Sequence, residues 1–374
     1  MFKTLLKTFA GLFFLFAIVA AHATVVSSLY SVQVPVASRT TVQRNKALRQ
    51  AFETVLIRVS GNSAIATVPQ IKDAMKKTND YVRAFSYFSD KQKQDNPLLF
   101  QVNFSQAAIN SLLRIAGQPV WAKDRPLTLV WLVVRDVNGT QIFNENSNAS
   151  VVQILKENAI RRGLPVLLPM MDLADMQKIG ASDVWAPFIH VIEGASARYS
   201  PDETLVVRID ATNKNHIKGQ WLLLFKDKQM SWTTTGANLA TVVKNGVDNA
   251  ANALAKQFAV IESSAQRNKV LVNVKGLWAV TDYAKVMSYL RGLTGVVNLE
   301  VLDISPTQAS FGLTLFIDSE TLQRIIKVGT VLKPVKQKEQ QIATEQQQEQ
   351  QDLSEEQEGQ DKQQKVQILE YKYK

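Results

Sequence analysis

Residues 127–134 (LTLVWLVV) form a run of eight positions in which almost every side chain is apolar. A strand with apolar side chains on both faces has to be covered on both sides, as the central strand of a layered α/β sheet is. Farther along, an amphipathic pattern over 151–159 predicts a helix that ends at Gly163, and residues 164–168 predict a second buried strand. This strand–helix–strand order predicts a right-handed crossover and therefore a parallel pair of strands.

The stretch that follows completes a mixed α/β domain, which we assign to residues 123–260. Residues 217–225 and 229–235 are predicted to form a β-hairpin. A long helix is predicted over 238–258, because apolar side chains recur there at steps of three and four residues.

The chain before this domain, residues 24–122, also combines both periodicities. Residues 29–36 alternate apolar and polar side chains as a half-buried strand does, and residues 100–104 repeat the alternation. Between them, apolar side chains over 48–59 mark one face of a helix that stops at Gly61. We therefore predict a small α+β domain.

A polar linker, residues 261–269, is predicted to precede a third domain, 270–335, with the element order βαββαβ of the ferredoxin-like fold. That fold hosts many unrelated functions. Gln and Glu dominate residues 336–365, which contain too few apolar side chains to offset the entropy of ordering, so we predict a disordered Gln/Glu-rich tail over 336–374. Its last residues, 366–374 (VQILEYKYK), regain strand-like character and could dock on a sheet edge or a partner.

The first 23 residues have the three parts of a secretory signal peptide. Lys3 and Lys7 provide positive charge, residues 9–21 are apolar, and Ala21 and Ala23 are the small residues of a cleavage site. As a helix the apolar run reaches only about 20 Å, short of the roughly 30 Å hydrocarbon core. We therefore expect cleavage after Ala23 and a periplasmic protein, with inner-membrane anchoring through an uncleaved signal as the alternative.

The sequence contains no cysteine, which excludes disulfides, thiolate metal ligands, a Cys nucleophile and a lipidated amino-terminal Cys. The net charge is +10, and residues 336–365 hold four Lys against eight Asp and Glu, so the remainder is more basic still. A basic chain usually suggests nucleic acid, but export argues against that partner. Anionic lipid, lipopolysaccharide, an envelope protein partner and a merely solvated basic surface stay open.

Patterns for catalysis and metal binding are sparse. His190 and Glu193 could share a helix face as metal ligands, but a third ligand at matching spacing is missing. Asp172, Asp175 and Asp183 cluster in a loop-rich stretch and could act as the paired carboxylates of a hydrolase. Asp172 and Asp183 are more simply interpreted as helix caps. We predict no catalytic residue, no metal site and no cofactor.

A stiff, aromatic and cationic connector occupies residues 117–131. Trp121, Arg125 and Trp131 are its candidate binding residues, because Trp and Arg are over-represented at binding hot spots. A connector that packs against two domains needs the same kinds of side chain. Interdomain packing and a ligand groove are therefore both compatible with this segment.

Several stretches of the first two domains resemble one known family. They are ALRQAFETVLIRVSGN, AGQPVWAKDRPLTLVWLVV, RRGLPVLLPMMDL, SDVWAPF, ARYSPDETLVVRI, GQWLLLF and SWTTTG. In this order they resemble an exported proteobacterial family known as domain of unknown function 2066, over roughly residues 25–258. The resemblance implies export, and it supplies no activity, substrate or catalytic residue.

Tandem small domains, a long polar tail and the lack of an assembled catalytic set favour a non-enzymatic periplasmic binding or envelope-assembly module. Two alternatives stay open. One is an envelope hydrolase that uses carboxylates near Asp172 and Asp183, and the other is a peripheral protein held on anionic lipid by its basic surface.

Overall fold

In a computed structural model, the protein has a mixed α+β architecture with several separate sheets. The structure describes residues 24–25, 28–89, 98–213, 215–225, 228–261, 267–335 and 367–374. The predicted signal peptide, 1–23, and most of the Gln/Glu-rich segment, 336–366, lie outside these ranges. Within the described ranges, no helix has both the length and the apolarity needed to cross a membrane.

The first part of the chain packs a three-stranded antiparallel sheet, with the order β2-β4-β3, against helix α1. Its elements are β1 (Thr24–Val25), β2 (Ser31–Pro35), α1 (Thr41–Ser60), α2 (Pro69–Ala74), β3 (Val82–Ser89), β4 (Leu98–Phe104) and α3 (Gln106–Ile115). Helix α1 begins where the Thr40 hydroxyl accepts a hydrogen bond from the Gln43 N–H. It ends at Gly61, whose φ of 70° is a left-handed conformation that glycine tolerates. The predicted helix and its stop are confirmed.

The middle part forms the largest sheet, with the order β11-β10-β9-β6-β7 and with β8 beside the start of β6. Its elements are β5 (Asp124–Arg125), β6 (Thr128–Asp136), β7 (Gly139–Phe143), α4 (Ser150–Arg162), β8 (Val166–Leu167), α5 (Leu173–Met176), α6 (Ala181–Trp185), α7 (Ile189–Ser196), β9 (Glu203–Asp210), β10 (Ile217–Phe225), β11 (Lys228–Gly236) and α8 (Leu239–Phe258). The predicted hairpin is the antiparallel pair of β10 and β11.

Strand β6 is covered on both faces, as its apolar run predicts. Val130 and Leu132 pack in one cluster with α4 and α8, while Trp131 and Val133 pack in another with α6 and α7. The predicted parallel pairing of β6 with β8 is present, but it extends over only two residues of each strand. The longer parallel neighbour is β9, with eight paired positions, a strand that the sequence analysis did not identify.

The last part forms a five-stranded sheet with the order β13-β14-β12-β16-β15. Its elements are β12 (Asn268–Lys275), α9 (Val280–Gly292), β13 (Val296–Ser305), β14 (Gln308–Leu315), α10 (Ser319–Val328), β15 (Leu332–Pro334) and β16 (Gln367–Tyr373). The element order βαββαβ is present from β12 to β15. The sheet differs from a four-stranded split β-α-β unit, because β16 lies between the first and last of these strands.

Strand β16 corrects the prediction of a disordered tail reaching residue 374. It pairs in parallel with β12 over six positions and antiparallel with β15 over three. Leu369 and Tyr371 are buried in the core of this sheet. The strand-like character of residues 366–374 is confirmed, although the strand lies inside the sheet and not at its edge. Leu369 and Tyr371 lie on one face of β16, where the core of the sheet covers them.

Replacing Leu369 by Ala tests whether β16 is an integral part of the fold. We expect Leu369→Ala to lower the free energy of unfolding by about 2–5 kcal/mol, because it leaves a cavity in the core. Ile368→Ala, on the exposed face of the same strand, is the matched control and should cost about 1 kcal/mol or less. Urea unfolding measures both. Equal effects of the two variants would show that β16 is not packed as described.

A buried carboxyl lies at the start of the central strand β9. Glu203 is buried, and its Oε1 accepts a hydrogen bond of 3.1 Å from the Thr128 hydroxyl of β6. Its Oε2 has no hydrogen-bond partner among the described residues. Burial, reinforced by the neighbouring Asp202, raises the pKa of Glu203 well above its ordinary value.

The raised pKa of Glu203 predicts a pH-dependent stability. Its contribution is fully present below the pKa of the unfolded chain, near 4.5, and is lost as pH rises toward the higher folded-state pKa. Glu203→Gln removes this loss, so the variant should be more stable than the parent at pH 7.5, by about 1 kcal/mol or more, and the difference should shrink at pH 4. Thermal unfolding at both pH values measures it, with the exposed Glu157→Gln as control. A pH-independent difference would contradict the prediction.

Candidate functional site

The three candidate connector residues are all buried, with exposed fractions of 1% for Trp121 and 0% for Arg125 and Trp131. The structure brings the first two together, because the Arg125 guanidinium lies 4.1 Å from the centre of the Trp121 ring. Trp131 lies apart, in the cluster formed with α6 and α7, and its Nε1 donates to the Ser196 hydroxyl at 2.9 Å. None of the three side chains lines an exposed groove.

Within the described part of the chain, the hydrogen bonds of Arg125 all go to backbone carbonyls. Its Nη1 bonds the carbonyls of Arg162 and Gly163 at 3.0 and 2.9 Å, at the end of α4. Its Nη2 bonds the Arg58 carbonyl in the last turn of α1 at 2.7 Å. The Trp121 and Ala122 carbonyls complete the set. A cation at two helix carboxyl ends is favourable, because unpaired carbonyls give each end a partial negative charge.

Two further buried arginines surround Arg125, and we call Arg58, Arg125 and Arg162 the arginine junction. Arg58 donates to the carbonyls of Ser28 and Ser31 at 2.7 and 3.0 Å. Arg162 donates to the Gly61 carbonyl at 2.7 Å, and to the side chains of Asn252 at 2.8 Å and Asp248 at 3.1 Å on α8. The junction therefore joins the first sheet unit, the connector and two helices of the middle part.

Burial of the three guanidinium groups lowers their pKa values. Burial lowers the pKa of Arg58 and of Arg162 to about 10 each. Burial, together with repulsion from these two neighbours, lowers the pKa of Arg125 still further. Gly163 permits this packing, since a Cβ there would lie 2.7 Å from the Arg58 Cγ and 2.9 Å from the Arg125 Nη1. The arrangement is suited to holding main chain together, although the Arg162 Nε and the Trp121 Nε1 are buried without a hydrogen-bond partner in the described part of the chain.

The candidate carboxylates are engaged in local structure. Asp172 caps α5 by accepting from the Asp175 N–H at 3.1 Å, and Asp183 accepts from the Gly180 N–H at 2.7 Å, as the cap interpretation predicts. Arg198 bonds both Asp172 oxygens and lies 3.0 Å from Asp175 Oδ1.

The bonds from Arg198 hold the pKa of Asp172 down, at about 2. Asp172 is thus ionised at neutral pH and cannot act as a general acid there. Asp175 is buried and also accepts from the Tyr199 hydroxyl and the Met171 N–H.

The possible metal ligands His190 and Glu193 lie on the short helix α7. His190 and Glu193 are both exposed on α7. Within the described ranges, no cluster of three or more His, Asp or Glu side chains is placed to hold a metal ion.

One exposed apolar surface lies at the start of α9. Trp278 and Val280 have exposed fractions of 80% and 85%, and Ile304 at the end of β13 is 61% exposed. They border a groove of about 620 Å³, which we call the apolar groove, lined also by Leu277, Tyr283 and Pro306. Exposing large apolar side chains to water is unfavourable in free energy. Contiguous exposed apolar patches therefore commonly mark binding surfaces.

The loop that carries Trp278 is held in place by an acidic side chain. The Trp278 and Ala279 N–H groups donate to Asp282 Oδ2 at 3.2 and 3.1 Å. Sequence reasoning missed this groove, although a signal was present: Trp278 and Val280 lie outside the buried stripe of the following helix. An aromatic residue without a place in any apolar stripe is a candidate for the surface.

Removing the Arg125 guanidinium should destabilise the protein strongly. Arg125→Met leaves five carbonyl acceptors without their donor, so we expect a loss of about 3 kcal/mol or more in the free energy of unfolding. Arg49→Met, an exposed arginine on α1, is the control and should change it by about 0.5 kcal/mol or less. Urea unfolding compares them. A variant as stable as the control would show that the carbonyls find other partners and that the junction is dispensable.

A family model matches the first part of the chain. Residues 23–122 match the family described as Domain of unknown function (DUF8605). This is a different family from domain of unknown function 2066, so the assignment made from the motifs is wrong for this segment, and the match carries no taxonomic information. No curated protein matches the chain. The comparison therefore identifies a segment of an uncharacterised family and assigns no activity to the protein.

Proposed function

We propose that the protein is an exported, non-enzymatic binding or assembly module of the cell envelope, which binds a partner protein at the apolar groove. The observation that carries this proposal is the exposure of Trp278 and Val280, 80% and 85%, beside a groove of about 620 Å³. Trp is the residue type most enriched among the few side chains that dominate binding energy. The periplasmic location rests on the sequence of residues 1–23.

The edge strand beside the groove suggests the form of the partner. β13 has ten residues and is the outermost strand of its sheet in the described part of the chain. An unpaired strand edge offers N–H and C=O groups to an incoming extended segment. Exposed Glu300 and Asp303 on β13 make this edge acidic. The fitting occupant is an extended partner segment with apolar side chains flanked by Lys or Arg.

The alternative of an envelope hydrolase has less support. Asp172, Asp175 and Asp183 are held by Arg198, Tyr199 and backbone N–H groups, and each performs a structural task. A glycosidase-type mechanism requires one carboxyl with a raised pKa beside a second one that is ionised. The pKa of Asp172 is shifted in the opposite direction.

Site-specific photocrosslinking in cells tests the binding proposal. A crosslinking amino acid at position 278 should capture a distinct partner, while the same residue at the exposed position 137 should not. Ile304→Asp should abolish the crosslink at 278, because a charge in the groove opposes apolar contact. An unchanged thermal unfolding curve of this variant shows that the fold is intact. No crosslinked species at 278, or the same species from both positions, would refute the proposal.

A further inference from the structure

A second cavity lies between the connector and the last part of the chain. Its volume is about 540 Å³, and four separate segments line it. Lys123 and Asp124 come from the connector, Lys285, Ser288 and Tyr289 from α9, Thr330 and Val331 from the loop after α10, and Tyr373 and Lys374 from the end of β16. We call it the lysine cavity. Its size is within the range of sites that enclose small ligands.

The charges around this cavity are predominantly positive. Three lysines face one carboxyl, Asp124. Neither Lys123 nor Lys285 forms an ion pair within 4.0 Å among the described residues, whereas the Lys374 ammonium donates to the Gly329 carbonyl at 2.5 Å. A concave surface lined by charges of one sign concentrates counter-ions. The cavity is therefore electrostatically suited to an anion.

Partly buried polar groups cluster at the same place. The Tyr289 hydroxyl is buried without a hydrogen-bond partner in the described part of the chain, and burial raises its pKa, so it stays a neutral donor. Burial also raises the pKa of Asp124 and lowers that of Lys374. Groups with shifted pKa values that converge on one cavity are typical of binding sites.

The walls of the cavity are held by contacts that lie outside it. The backbone of Asp124 pairs with Val25 of β1, which places the connector wall. The Lys374 N–H donates to the Val331 carbonyl at 3.0 Å, which fixes the end of β16 against the loop after α10. Gly329 leaves room for Tyr289, because a Cβ at that position would overlap the hydroxyl. The backbone segments that carry the three lysines are thus held in place by strand pairing, a hydrogen bond and helix α9.

We propose that the lysine cavity binds a phosphate group, carried by a small soluble molecule or by a lipid headgroup. The donors are ammonium groups from three different segments together with the hydroxyls of Ser288 and Tyr289. Lysine binds phosphate as a point charge, and several ammonium groups around one cavity suit a compact, multiply charged anion. This site is distinct from the apolar groove, and neither proposal depends on the other.

Calorimetric titration of the full chain with inorganic phosphate and with glycerol 3-phosphate, at 150 mM salt, tests for the site. We expect saturable binding that Lys285→Gln weakens at least about tenfold, because a charged hydrogen-bond donor is lost. Ser288→Asp should weaken it further by adding a negative charge to the wall. Lys178→Gln removes an equal charge elsewhere on the surface and should leave the affinity unchanged.

Sedimentation with phosphatidylglycerol vesicles, and with phosphatidylcholine vesicles as control, distinguishes the two sources of phosphate. Binding to soluble phosphates alone supports a small-molecule ligand, and binding to phosphatidylglycerol that Lys285→Gln removes supports a headgroup. If Lys178→Gln and Lys285→Gln weakened binding equally, the binding would depend on overall charge alone, and the proposed phosphate site would be refuted. Absence of binding in every arm would overturn it as well.

Discussion

The contact on which the arrangement of this protein depends is the bonding of one guanidinium to the carboxyl ends of two helices. Arg125 reaches the last carbonyls of α1 and α4 together, and both helices end in glycines with left-handed φ values, 70° at Gly61 and 62° at Gly163. A lysine could not replace it, because a single ammonium has three donors and no planar fork. Buried carbonyl groups need a hydrogen-bond donor, which apolar side chains cannot provide. Arg125 supplies the donors and so joins the first part of the chain to the middle part through buried hydrogen bonds.

The periodic pattern of apolar residues predicted those helices and strands whose burial can be inferred from their own sequence. The apolar run at β6 and the stripes of α1 and α8 are of this kind, and the structure places them as expected. Arg125 was recognised from its Pro and Trp neighbours, but its partners at Arg58 and Gly163 lie 67 and 38 positions away and meet it only in the folded chain. β9 was missed because the strand–helix–strand pattern assigned the parallel position to the next apolar run, at β8. The apolar groove was missed because Trp278 precedes α9 and belongs to no apolar stripe, so that its only signal was the lack of a place in the periodic pattern.

Because of strand β16, the Gln/Glu-rich segment lies between two strands of the same sheet and is not a terminal tail. The chain leaves the sheet at Val335, whose N–H donates to the Glu370 carbonyl, and it returns at Gln367 to pair beside β12. Residues 336–366 therefore connect two neighbouring antiparallel strands, a connection that needs only a few residues. Their composition predicted a segment unable to form a core of its own. What composition could not show is that the strand after them belongs to the core.

The distribution of charge explains why the net value of +10 does not identify a partner. The three arginines of the junction are buried, donate to backbone carbonyls and, at Arg162, pair with Asp248, so they contribute little charge to the outer surface. Near the apolar groove, β13 presents Glu300 and Asp303, whereas the lysine cavity presents three ammonium groups. Both surfaces border α9, the groove at the start of the helix and the cavity between Ala284 and Gly292. The chemistry of a partner therefore has to be assigned to each surface separately. The apolar groove adjoins acidic side chains of β13, whereas lysines line the cavity.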